Sequence, residues 1–146
     1  MHKALNYMSL ARRGGRIELG EEPCGAAARA GHARLIVVAA DASPHTWRRA
    51  KSYVAGTDQQ CLRVPFSKDE MGEAIGRSSL AMAAFTDPAL ALAFVKALEQ
   101  REEYREVLEN LELKTKRVRQ RQSEAKAHER NVRTGKVRRA PVIKKD

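Results

Sequence analysis

The sequence predicts an α/β fold, a three-layer α/β/α sandwich with a central mixed sheet, followed by a C-terminal charged helical extension and a basic tail. Three observations predict it. Leu35-Ile36-Val37-Val38 is apolar at consecutive positions, so a strand made from it needs cover on both faces. Helix-period and strand-length apolar segments alternate between residues 2 and 98, an order that layers helices on a sheet. The charge is also confined: residues 1–112 carry 15 Lys+Arg and 15 Asp+Glu, whereas residues 113–146 carry 13 and 3, the whole of the net +10.

Taken in order, Leu5 and Met8 at helical spacing, closed by Gly14-Gly15, predict a first helix over 2–13. Arg16 to Leu19 alternates as a short edge strand does. A helix then starts at Gly20-Glu21-Glu22-Pro23, with carboxylates where the helix dipole favours them, and stops at Gly31. After the central strand, Ser43-Pro44 is an N-cap followed by proline at the first helical position, opening an amphipathic helix to Gly56 with Trp47, Ala50, Tyr53 and Val54 inward. Cys61 to Pro65 reads as a second strand ended by the proline, and Ser67-Lys68-Asp69-Glu70 is a capping box for a short helix ended by Gly76. Leu80 to Phe85 is a third apolar strand, and Asp87-Pro88 starts a helix through Leu90, Phe94, Val95 and Leu98. With no Gly or Pro from Glu99 to Gln122, and Tyr104, Leu108 and Leu111 continuing the period, this helix is expected to run on out of the domain.

Composition excludes several classes. No apolar run is long enough to span a bilayer, and the N-terminus has no apolar stretch followed by a cleavage site. Cys24 and Cys61 make no disulfide framework, and His2, His32, His45 and His128 lack ligand spacing. Neither paired carboxylates, a Ser/His/Asp set nor a phosphate-binding glycine loop is evident. The expectation is a non-enzymatic cytoplasmic protein without metal or cofactor, whose concentrated positive charge favours a polyanion, most often nucleic acid.

Four motifs carry a resemblance: Leu10-Ala11-Arg12-Arg13-Gly14-Gly15, Gly20-Glu21-Glu22, Val37-Val38-Ala39-Ala40-Asp41-Ala42-Ser43, and Ser67-Lys68-x-x-Met71-Gly72-x-Ala74-Ile75-Gly76. In order and spacing, over residues 3–98, they resemble the RNA-binding ribosomal proteins of the L-seven-Ae, L-thirty-e, S-twelve-e and Gadd superfamily, most closely its bacterial YlxQ-like subgroup. The resemblance implies a partner: kink-turn RNA, a sharply bent helix-internal-loop-helix, in the ribosome or another ribonucleoprotein. It implies contacts from Gly20, Glu21 and Glu22 at the second helix, Ser43 after the central strand, Lys68 at the Ser-Lys helix start, and Arg77, Ser78 and Leu80 before the last strand. Strong RNA binders of the family have Asn-Glu followed by a lysine, where this chain has Glu22, Pro23 and Ala26. Binding by this face is therefore expected to be weaker than in those members, or redirected to another RNA.

Lys114, Lys116, Arg117, Arg119 and Arg121 are read as an electrostatic RNA anchor. The expected organisation is an RNA-binding domain over 1–98, a charged helical extension over 99–130 and a basic disordered tail over 131–146. The alternative is a protein-interaction or dimerisation module with incidental RNA contact, favoured by the neutral charge of residues 1–112.

Overall fold

The structure is a computed structural model that describes residues 1–99 and 103–133, the last four as backbone. The elements run α1 (Lys3–Arg13), β1 (Ile17–Leu19), α2 (Glu21–Arg29), β2 (Leu35–Val38), α3 (Pro44–Val54), β3 (Cys61–Arg63), α4 (Lys68–Ala74), β4 (Met82–Phe85), α5 (Pro88–Ala97) and α6 (Arg105–Arg133). The chain divides into two units, Met1–Glu112 and Leu113–Asp146.

In the first unit the four strands form one sheet in the order β1-β4-β2-β3. β4 is antiparallel to both β1 and β2, and β2 is parallel to β3, so the sheet is mixed as the sequence predicts. Every residue of β2 and β4 is buried, and these are the two inner strands. Helix α1 packs on both α5 and α4, and α2 packs on α3, giving the two outer layers. Phe94 of α5 sits 5.2 Å from Phe85 of β4 and 6.4 Å from Phe66, centroid to centroid, tying that helical layer to the sheet.

The helix starts follow their capping residues. Ser43 accepts from the Thr46 N–H, Asp87 from the Leu90 N–H, and Ser67 and Glu70 form the reciprocal capping box. Two glycines are required by close approach. A Cβ at Gly25 would lie 2.9 Å from the Tyr53 ring, so its absence lets α2 lie close against α3. At Gly72 it would lie 2.6 Å from the Ser79 nitrogen and 2.9 Å from the Arg77 carbonyl oxygen, both backbone atoms.

The expected continuous helix from Pro88 is corrected. α5 ends at Ala97, Glu99 takes φ 61° in the left-handed region, and α6 starts at Arg105. The apolar period supplies the reason: Tyr104, Leu108 and Leu111 are buried in the same core cluster as α5, which a straight continuation would carry away from it. The compact first unit accordingly reaches Glu112. The unfolded end expected from Asn131 is corrected for residues 131–133, which close α6, since no helix breaker occurs before Gly135. Residues 134–146 lie outside the described residues.

Gly72→Ala is expected to destabilise the protein by about 2 kcal/mol, because the added methyl group meets backbone that can only move with the whole Arg77–Ser79 turn. Gly14→Ala, with nothing nearer than 3.6 Å, is expected to fall within about 0.5 kcal/mol of the parent. Urea unfolding of both variants measures the difference.

Candidate functional site

The sheet register determines which connections meet. Val38, the last residue of β2, faces Met82, the first of β4, and Leu19, the last of β1, faces Ala83. Val38 also pairs with Arg63, the last residue of β3. The β1–α2, β2–α3, β3–α4 and α4–β4 connections therefore all emerge at one end of the sheet. In open α/β sheets this is the end where ligands seat.

Hydrogen bonds lace these connections into one rim. The Gly20 N–H donates to the Met82 carbonyl at 2.9 Å, the Ala39 N–H to the Ala81 carbonyl at 3.0 Å, and the Ala40 N–H to the Phe66 carbonyl at 2.8 Å. Asp41 Oδ1 accepts from the Lys68 N–H at 2.8 Å, capping α4 from a loop 27 residues away. The Leu80 N–H donates to the Lys68 carbonyl at 3.0 Å. Each connection is thus held by another, and the rim's shape is preset rather than formed on contact.

The sequence-predicted residues distribute unevenly on this rim. Gly20 is the N-cap of α2 at φ 100°, ψ 164°, a conformation open to glycine. Glu21 is committed: its carboxylate accepts from Arg49 Nη1 at 3.0 Å and from the Thr46 hydroxyl at 3.1 Å. Glu22 is exposed and lines a groove of about 510 Å³ between α2 and α3, together with Pro23, Ala26, Arg29, Arg49 and Tyr53. Ser43 is exposed, its Oγ accepting from the Thr46 N–H at 3.1 Å. Lys68 is the first residue of α4 and half-exposed, and Arg77 and Ser78 are exposed in the following turn.

Two of the predicted side chains do not face solvent. Leu80 is 4% exposed and belongs to the core cluster. It is an apolar residue that anchors the turn from inside rather than one presented as a wedge. Lys114 is 6% exposed on α6, whereas Lys116, Arg117, Arg119 and Arg121, in the second unit, are exposed.

The rim's carboxylates are largely engaged within it. Glu21 pairs with Arg49, Asp41 caps α4, and Glu70 Oε1 accepts from the Ser67 N–H at 2.9 Å. The outward groups among the described residues include Glu22 on one side, Lys68, Asp69 and Arg77 on the other and Arg63 at the end of β3, so the rim is mixed in sign.

Sequence reasoning placed Trp47 in the packing and missed its electrostatics. Trp47 is half-buried on the first turn of α3, with Arg63 Cζ 5.1 Å and Lys51 Nζ 5.7 Å from its ring centroid. The Trp47 to Lys51 spacing of four was visible in the sequence, while the Arg63 contact depends on the fold. Gln59, between α3 and β3, is buried; its Oε1 accepts from the Ala33 N–H and its Nε2 donates to the Ala28 carbonyl, both at 3.0 Å.

Neither cysteine is poised as a nucleophile. Burial, with Glu18 and Glu21 nearby, pushes the Cys24 thiol up to about 12, and burial raises that of Cys61 against an opposing pull from Lys51. Among the described residues no group of three His, Cys, Asp or Glu side chains could hold a metal ion, and no helix is long and apolar enough to cross a membrane.

No protein-family model and no curated protein matches this chain. Solved structures do. A protein of unknown function from Bacillus halodurans superposes with a TM-score of 0.63 at 21% identity, covering 68% of this chain and 100% of that one. The Giardia lamblia 15.5kD RNA binding protein superposes with a TM-score of 0.51 at 21% identity, covering 68% of this chain and 84% of that one. At this identity the likeness establishes a shared fold.

With the thiol of Cys24 held protonated and out of solvent, a water-soluble disulfide reagent is expected to modify Cys61 first, and Cys24 only on unfolding. Equal rates for the two in the folded protein at pH 8 would contradict that placement.

Proposed function

We propose that this chain is a non-enzymatic protein that binds structured RNA, a member of the L-seven-Ae and L-thirty-e superfamily of YlxQ-like type, acting on kink-turn-like RNA in the ribosome or another ribonucleoprotein. The observation that carries the reading is the rim: the four connections that the sequence resemblance links to RNA emerge together at one end of the sheet. The fold it shares with the Giardia RNA binding protein supports it.

The chemistry suits a bent, partly unstacked RNA. A preset rim complements shape, and Ser43 with the backbone groups around it offers short polar contacts to sugar and base edges. Lys68 and Arg77 supply cations for phosphates that cross the α4 side. Glu22 on the α2 side accepts hydrogen bonds from base amino groups and repels phosphate, which biases that side toward bases. The second unit, with its excess of cations, adds affinity that does not depend on sequence.

A filter-binding titration with a kink-turn RNA and a straight duplex, each at two salt concentrations, tests the reading. Tighter binding of the kink-turn at both salts is expected; equal affinity removes the claim that the rim reads shape. Lys68→Ala combined with Arg77→Ala is expected to weaken kink-turn binding roughly tenfold and lower the salt slope by about 2, one for each cation taken away from a phosphate. Trp47 is the single tryptophan of the chain and lies on the first turn of α3, so its fluorescence reports contact on the α3 side of the rim during the same titration.

A further inference from the structure

We propose that α6 carries a phosphate-binding stripe of its own, Lys116, Arg119, Ser123 and Lys126, that seats along the backbone of an RNA duplex. The inference rests on the RNA-binding reading above and specifies how the second unit takes part. The sequence predicts a charged helical extension over 99–130 but does not assign its cations to a face, and an unstructured arm would present them in every direction. The structure makes this run helical through Arg133. At 3.6 residues per turn, the spacings of three, four and three between these positions place them within about 80° of arc on one side of the helix.

All four side chains are exposed. Among the described residues Lys116, Arg119 and Lys126 form no ion pair. The carboxylates of this segment lie elsewhere: Glu124 and Glu129 fall about 100° or more from the middle of the stripe, on opposite sides, and Glu124 accepts from Gln120 Nε2 at 3.3 Å. Arg130 and Arg133 continue the three-and-four spacing in sequence. Three cations and a hydroxyl spaced about 5 Å apart along a rigid rod match a polymer that repeats its negative charge along one edge, and they lose less conformational freedom on binding than a coil.

The same helix argues against the other polyanions. Between Lys114 and Glu129, Val118 is the one large aliphatic residue, so there is no apolar face to enter a lipid headgroup layer. Nor do apolar residues recur at the 3.5-residue period that a partner helix would pack against.

Two double variants of the full chain separate a stripe from mere charge, because each removes two positive charges from the same helix. Arg119→Gln with Lys126→Gln empties the stripe; Arg117→Gln with Arg121→Gln removes cations from another side. Against a straight RNA duplex, the stripe variant is expected to bind roughly tenfold more weakly with a salt slope reduced by about 2, and the off-stripe variant, whose cations lie farther from the bound strand, to lose roughly threefold with a slope reduced by less than about 1. Equal losses overturn the stripe while leaving RNA binding intact. Parent protein that binds neither kink-turn nor duplex RNA at low salt overturns the underlying reading as well. Co-sedimentation with phosphatidylglycerol vesicles at least as tight as duplex binding, abolished by the stripe variant, overturns RNA as the stripe's partner.

Discussion

The two-sided burial of β2 and β4 is the constraint on which the first unit depends. Leu35 to Val38 and Met82 to Phe85 are apolar or small at every position and buried throughout, so each strand must have a helical layer above and below it. Because the two pair antiparallel with Val38 opposite Met82, the chain leaves β2 and enters β4 at the same end. The parallel pairing of β3 with β2 sends the exit of β3 there too. The rim is thus a consequence of how the core is covered. Its rigidity follows from backbone amides that must find acceptors among their neighbours once they are crowded at that end.

That origin bears on the kind of recognition available. The carboxylates of the rim serve as caps and partners inside it, Glu21 to Arg49 and Asp41 to the Lys68 amide, which leaves few outward charges and a fixed contour. A surface of balanced charge gains little from long-range attraction, so its discrimination has to come from fit. The cations of residues 113–146 have the complementary property: large, salt-sensitive attraction with little information in it, unless the helix orders them. The partition of charge along the sequence is thus one between a charge-balanced first unit and a cationic second one.

What was legible in the sequence was what is encoded locally. The capping box at Ser67 and Glu70, the Asp87-Pro88 start and the unbroken apolar run at Leu35 each satisfy their own neighbours, and each occurs where the local pattern predicts it. The break between α5 and α6 was not legible because Glu99 adopts a conformation usually marked by glycine, and what selects it is the burial of Tyr104, Leu108 and Leu111. Asp41 lies in the β2–α3 connection, yet its carboxylate caps a helix 27 positions on, a contact that no local pattern announces. The candidate site was legible only through resemblance, which transfers positions but not exposure; Leu80 and Lys114 are both buried.

The start of α2 shows how local structure survives where the resemblance departs. Pro23 occupies the first turn, before the Cys24 N–H makes the helix's first bond to the Gly20 carbonyl at 3.0 Å, so proline removes no helical hydrogen bond there. Ala26, in place of a lysine, leaves the wall of a groove rather than a cation over it, and Glu22 keeps a carboxylate at the groove's edge. The helix is unharmed, and its outward face forms a groove lined by one carboxylate and two guanidinium groups, one of them already held by Glu21.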